Sequence, residues 1–120
     1  MAGIESHRDL TVWKKAMDLA VMVYGLAKGF PKTETYGLTA QMTRAVVSVP
    51  ANIAEGNARG TRRDYANFLA IAKGSLMEVE TYLLLAVRLE YSTDIEARPA
   101  FALITEISKM LTALRTKLLA

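Results

Sequence analysis

The sequence predicts an all-α protein: an antiparallel up-down-up-down bundle of four helices, with the second helix kinked at Pro50. Two observations lead there. Apolar residues recur at helical spacing over almost the whole chain, while no alternating strand pattern and no hairpin dipeptide of the Asn-Gly kind is present. Glycine, proline and short polar residues divide the chain into four long segments, and short connections favour neighbours of opposite direction.

The first helix is expected from Asp9 or Leu10 to Lys28, with Asp9 as N-cap and a core stripe of Trp13, Ala16, Met17, Ala20, Val23, Tyr24 and Ala27. Gly29 and Pro31 stop it, within the connection GFPKTETYG. The second starts near Leu38 and carries Leu38, Met42, Val46, Val49 and Ile53 on one face. These positions stay in phase across Pro50, so one kinked helix is expected there rather than two. Gly56 or Gly60 is expected to supply a left-handed residue that ends it. The third follows Thr61, which caps it while Asp64 reaches back as in a capping box, and runs to about Glu90 with Tyr65, Phe68, Ala72, Leu76, Val79 and Leu83 inward. The fourth covers Asp94 to Leu118, with Leu103, Ile107, Met110, Leu111, Leu114 and Leu118 as its stripe. Pro99 either kinks its first turns or marks its start as an N1 proline, and the spacing allows both.

At 120 residues the chain reads as a single domain spanning 1–120. Hydrophobic residues make up 52% and charged residues 22%, a composition that argues against disorder and suggests that some apolar surface is buried on another molecule. No cysteine is present, so disulfides, thiolate metal sites and cysteine nucleophiles are excluded. The start MAGIESHRDL has no apolar core of signal-peptide length, and no apolar run approaches the ~18 residues of a membrane span, so a cytoplasmic protein without a membrane partner is expected. The net charge of +3 is spread as +2 over residues 1–60 (seven basic, five acidic) and +1 over residues 61–120 (eight basic, seven acidic). With no basic tail, any contact with nucleic acid has to come from a local cluster.

Helices two and three are apolar on more than their core faces. Thr39, Ala40, Val47, Pro50, Ala51 and Ala54 lie opposite the stripe of helix two, and Leu69, Met77, Leu84 and Val87 lie off that of helix three. A helix apolar nearly all round is buried on more than one side, so self-association through helices two and three is expected.

The stretch VPANIAEGNARGT (49–61) holds most of the candidate polar residues. Arg44, Ser48, Asn52 and Glu55 form a stripe beside the apolar one, and Glu78 flanks the core of helix three near Asn67, Gly74 and Ser75. A polar network of Arg44, Ser48, Asn52, Glu55 and Glu78 between the two helices is expected, chiefly to fix their register. Gly74 would let another group approach closely. No familiar catalytic set can be built: Glu78 and Glu80 diverge by half a turn, His7 is the single histidine, and the Glu-x-x-His ligands of a di-iron bundle are absent. No catalytic residue, metal or cofactor is therefore expected. The glycines lack the pattern of a phosphate loop. Arg59, Arg62 and Arg63 instead crowd the start of helix three, whose free amides already favour an anion, and they are the candidate nucleic-acid ligands.

RAVVSVPANIAEGNARG (44–60) and FLAIAKGSLMEVETYL (68–83) resemble the small four-helix-bundle proteins first noticed as products of intervening sequences within bacterial large-subunit ribosomal RNA genes. The matching positions are Arg44, Ala45, Ser48, Asn52, Ile53, Ala54, Glu55, Gly56 and Arg59, then Phe68, Leu69, Ala72, Gly74, Ser75 and Glu78. DLTVWKKAMDLA and FPKTETYGLTAQM are also similar to family members, so the resemblance covers nearly the whole chain. Val49 departs from the usual isoleucine, and Pro99 lies outside the motif. The resemblance implies a ring-like homopentamer, which at +3 per chain would carry about +15. It also implies kinship with the accessory variability protein of a retroelement reverse transcriptase, whose basic surface is thought to engage nucleic acid.

The expected function is therefore a non-enzymatic homo-oligomer that binds RNA or DNA through a basic rim containing Arg59, Arg62 and Arg63. The alternative is a scaffold or accessory subunit with a protein partner and no nucleic-acid contact. A third possibility, an unfamiliar enzyme centred on Asn52, Glu55 and Glu78, needs an open pocket that joins those three residues.

Overall fold

The computed structural model describes residues 6–120, which form four α-helices and no strand. They are α1 (Thr11–Ala27), α2 (Leu38–Ala58), α3 (Arg62–Arg88) and α4 (Asp94–Leu119), with short 3-10 turns at His7–Asp9 and Lys32–Glu34. Each helix packs on the next and α4 returns to α1, while the diagonal pairs α1–α3 and α2–α4 bring no Cα atoms within 8 Å of each other among the described residues. The result is a four-cornered bundle of 48 × 25 × 22 Å.

Its core is the apolar stripe of each helix turned to one axis. All five stripe residues expected in α2 (Leu38, Met42, Val46, Val49, Ile53) are buried, as are Ala72, Leu76, Val79 and Leu83 of α3 and Ile107 and Leu111 of α4. In α1 the stripe is rotated from the expected one. Val12, Ala16, Leu19, Ala20 and Val23 are buried, whereas Met17 and Tyr24 stand 42% and 48% exposed. The reason is angular: a stripe centred on Leu19 keeps Val12, Ala16 and Val23 within a quarter turn, and Met17 lies well to the side.

The helix ends correct several expectations. Asp9 does not cap α1. It belongs to the turn His7–Asp9, and Leu10 is the N-cap residue, extended and without a side-chain cap. Thr61 does cap α3, its hydroxyl accepting the Asp64 N–H at 3.1 Å, but the return bond from the Asp64 carboxylate is not made. The complete capping box is at α4 instead. Thr93 accepts from the Glu96 N–H at 3.1 Å, and the Glu96 carboxylate accepts from the Thr93 N–H at 3.1 Å. Those bonds to the ionised form hold the Glu96 carboxyl below its ordinary value. Pro99 lies inside α4, five residues past its first residue, so it is not the N1 proline.

Neither Gly56 nor Gly60 is left-handed, because no glycine has positive φ among the described residues. α2 continues through Pro50 and Gly56 to Ala58 and ends on an extended Arg59. Gly56 is buried for another reason: a Cβ there would lie 2.8 Å from the Phe68 Cβ and 3.0 Å from the Tyr65 Cδ1, so α2 and α3 meet over its bare backbone. The left-handed residue among the described residues is Glu90, with φ of 64°. It closes α3 in a Schellman motif, in which the Tyr91 N–H reaches the Ala86 carbonyl and the Glu90 N–H the Val87 carbonyl.

At the same end of the bundle, Glu34 joins two connections. Its carboxylate accepts from the Leu38 N–H at the start of α2 (3.1 Å) and from the Tyr91 hydroxyl beyond α3 (2.9 Å). Phe30 packs against the Tyr91 ring at 5.7 Å. The Leu38 and Tyr91 bonds lower the Glu34 carboxyl, and the shared bond raises the Tyr91 phenol.

Candidate nucleic-acid interface

The three arginines of the α2–α3 turn have three different surroundings. Arg59 pairs with Glu55 at 3.4 Å and lies over the Phe68 ring at 4.8 Å, so its guanidinium is held against the surface. Arg62 crosses to the end of α4, its Nε donating to the Leu118 carbonyl at 3.1 Å and an Nη to the Lys117 carbonyl at 2.9 Å. These are carbonyls the last helical turn leaves without partners, so Arg62 caps α4 from outside. Arg63 is exposed and makes no ion pair among the described residues.

The Arg62 contacts also show what charge this turn has beside it. Residues pair across α3 and α4 in opposite order: Lys73 Nζ donates to Thr112 Oγ1 at 2.7 Å, and Arg115 Nε to the Ala66 carbonyl at 3.2 Å. The first half of α3 thus lies along the last half of α4. Residues 59–77 hold four basic side chains and one acidic, and residues 107–120 hold three basic and none acidic, so this end of the pair carries +6. Residues 78–106 hold two basic and six acidic side chains, and the other end carries −4. Lys73, Lys109, Arg115 and Lys117 therefore join the arginines expected from sequence. The signal for them was charge separation along each helix, visible only when α3 and α4 are laid antiparallel.

The polar network is smaller than expected. Ser48 Oγ lies 2.9 Å from Ser75 Oγ, and Asn52 Nδ2 donates to the Ser48 hydroxyl and carbonyl, each at 2.8 Å. These three residues tie α2 to α3 and leave no buried side-chain polar atom without a partner. Glu55 is outside the cluster, paired with Arg59, and Glu78 is within 3.5 Å of the Tyr82 hydroxyl one turn along α3. Arg44 and Glu78 border a shallow hollow of about 180 Å³ with Gln41, Ala45, Ser48 and Ser75. Asn52 and Glu55 do not line it, so this hollow does not join them to Glu78. No group of three or more His, Asp or Glu side chains is placed to hold a metal among the described residues. No helix among them is long and apolar enough to cross a membrane.

Two apolar surfaces remain. On α1 and α2, Trp13, Met17, Ala20, Val47, Ala51 and Ala54 line a shallow trough. Between α3 and α4 a groove of about 370 Å³ is floored by Leu69, Met77 and Leu111, bordered by Gly74 and flanked by Lys73 and Arg115. Leu69, expected to lie outward, is buried, and Val87 is half-buried; Met77 and Leu84 are exposed. The outward apolar surface of α2 is thus shared with α1, and that of α3 with α4.

Residues 8–113 match the family described as 23S rRNA-intervening sequence protein. The chain is also similar to a protein of unknown function from the S23 ribosomal protein family of Bacteroides thetaiotaomicron, known from a crystal structure. The two are 30% identical with a TM-score of 0.81, over 88% of this chain and 98% of the other. No curated protein matches.

Proposed function

The chain belongs to the 23S rRNA-intervening sequence protein family, and from that premise we propose that it is a non-catalytic homo-oligomer that binds RNA or DNA through the basic end of its α3–α4 pair. The observation that carries this reading is the charge of +6 on residues 59–77 and 107–120, where antiparallel packing gathers seven cations against one acid. Such a concentration attracts a phosphate backbone with little dependence on base sequence. Arg63, Lys109 and Lys117 are the side chains offered most freely, while Arg59 and Arg62 are partly committed to the fold. Repetition of this end around an oligomer multiplies a weak contact by raising effective concentration. The apolar troughs on either side of the bundle support the oligomer, and a cytoplasmic setting fits the nucleic-acid reading.

The test is binding of a structured RNA and of duplex DNA, followed by fluorescence anisotropy while salt is raised from about 50 to about 200 mM. The reading expects steep weakening with salt, and weaker binding by Arg63→Gln/Lys117→Gln with an unchanged helical circular-dichroism signal. Absence of binding at the low-salt end, or indifference to the double substitution, refutes it.

A further inference from the structure

We propose that the hollow between α2 and α3 binds a small amino acid as its zwitterion, with the carboxylate on Arg44 and the ammonium on Glu78. The proposal goes beyond the nucleic-acid reading and rests on neither the basic end nor the oligomer.

The hollow follows from the register of two packed helices. Gln41, Arg44 and Ser48 are three and four residues apart on α2, and Ser75 and Glu78 are three apart on α3, so each set shares one helix face. The two faces meet where the Ser48 and Ser75 hydroxyl oxygens lie 2.9 Å apart, and the side chains around that contact border about 180 Å³. This is less than the roughly 300 Å³ at which drug-sized pockets begin, and it equals the liquid volume of about six water molecules. An occupant of the hollow is therefore small.

Two observations say what chemistry suits it. The first is a cation and an anion that share the hollow without pairing. Arg44 and Glu78 both line it, yet the ion pairs among the described residues are Lys15–Glu106 and Arg59–Glu55. Glu78 has the Tyr82 hydroxyl at 3.5 Å as its one side-chain partner, and Arg44 has none among the described residues. The planar guanidinium fork matches a carboxylate, a carboxylate accepts from an ammonium, and such charge-assisted bonds are the stronger kind.

The second is a hydroxyl proton left over at the border of the hollow. The Ser48–Ser75 bond uses one of the two hydroxyl protons, and Asn52 reaches Ser48 Oγ as a donor, at 2.8 Å. Whichever serine donates to the other, one O–H keeps no acceptor among the described residues, although Ser75 is only 8% exposed. A hydroxyl proton withdrawn from water calls for an acceptor, which a carboxylate supplies and an ammonium does not. Arg44 and the serine pair thus favour the same end of the ligand, and Glu78 favours the other.

A zwitterion answers all of these groups at once. An anion alone leaves Glu78 unpaired beside it, and a cation alone leaves Arg44 and the hydroxyl proton unpaired. Ala45, buried, is the one apolar residue among those lining the hollow, so a large side chain would find no apolar wall. The ligand class is an amino acid with a side chain the size of that of alanine or serine.

The experiment is ligand-observed saturation-transfer NMR on the full chain, with L-alanine raised to about 10 mM; the expected dissociation constant is about 1 mM, as suits so small a ligand. Acetate and methylammonium, each bearing one of the two charges, are expected to show no saturable binding over the same range. Arg44→Gln and Glu78→Gln, both at exposed positions, should keep the helical circular-dichroism signal and weaken L-alanine binding at least about tenfold. Glu80→Gln, which removes a carboxylate half a turn round α3 from Glu78, should leave the binding unchanged. L-Alanine that does not saturate, acetate that binds as tightly as L-alanine, or a folded Arg44→Gln or Glu78→Gln chain with the parental affinity overturns the proposal.

Discussion

Gly56 and Gly74 are both interior residues of α-helices, and the structure assigns them opposite responses to the same substitution. A methyl group at position 56 would sit 2.8 Å from the Phe68 Cβ, 3.0 Å from the Tyr65 Cδ1 and 3.2 Å from the Tyr65 carbonyl oxygen. None of these atoms is the far end of a flexible side chain, so α2 and α3 must separate. Overpacking of this kind costs about 1–3 kcal/mol, against which the better helix propensity of alanine returns about 1 kcal/mol. The net expectation for Gly56→Ala is a loss of up to about 2 kcal/mol. At position 74 no atom beyond the surrounding helix backbone lies within 4 Å, so only the propensity gain operates and Gly74→Ala is expected to stabilise the chain by up to about 1 kcal/mol. Urea unfolding followed by circular dichroism measures both. For a chain of this size Gly56→Ala should melt up to roughly 8 °C below the parent and Gly74→Ala a few degrees above it. A Gly56→Ala protein stabilised as much as Gly74→Ala would refute the close α2–α3 approach, and a destabilised Gly74→Ala would refute the open space over α3.

Three further outcomes follow from the helix ends. Glu90→Gly is expected to stabilise the chain by about 1 kcal/mol, because the φ of 64° strains any residue with a Cβ, and thermal melting reads it. The Glu34 and Glu96 carboxyls are held below their ordinary values by bonds to the Leu38 N–H and to Thr93, so their contribution is present above the unfolded-state carboxylate pKa and is lost as pH falls through the folded one. Melting temperature should therefore decline on acidification below about pH 4.5, and the decline should be smaller in Glu34→Gln/Glu96→Gln. Arg62→Gln should cost about 1 kcal/mol in urea, since it uncaps the carbonyls of Lys117 and Leu118 at the exposed end of α4.

The four helices were legible because each carries its apolar residues at helical spacing over several turns, a signal that local detail does not disturb. The α1 stripe differs from the expected one because Met17 and Tyr24 are large and mostly apolar, as Leu19 is, and period alone cannot say which side meets the core. The cap at Thr93 is legible in S-T-D-I-E, where Glu96 follows Thr93 at capping-box spacing. Gly56 was not legible in the same way: glycine near a helix end reads as a terminator, and only the distance to Phe68 shows that it serves packing. The basic end was hidden by summing charge along the chain. Residues 61–120 total +1 in sequence because the basic half of α3 and the basic half of α4 are separated by a long acidic stretch that folding carries to the other end.

Arg63 is the residue at which stability and the proposed function part. Arg62 and Arg63 are the first two residues of α3, where the helix dipole presents its positive end and a cation is disfavoured by about 0.3–1 kcal/mol. Arg62 recovers this by bonding the carbonyls at the negative end of α4. Arg115 and Lys117 lie in the last turns of α4, where positive charge is favoured for its own sake. Arg63 has neither compensation, being exposed and without an ion pair among the described residues. Its charge costs the isolated chain something and returns nothing to the fold, which is the pattern of a side chain retained for a partner. Arg63→Glu should then raise stability in urea by about 0.5–1 kcal/mol, since it replaces an unfavourable charge at the helix start with a favourable one. The same substitution should weaken RNA or DNA binding at low salt more than Arg63→Gln does, and lower the slope of log K against log salt by about one. Loss of stability in Arg63→Glu would show that the arginine supports the fold after all, and unchanged binding would leave it without a function at the basic end.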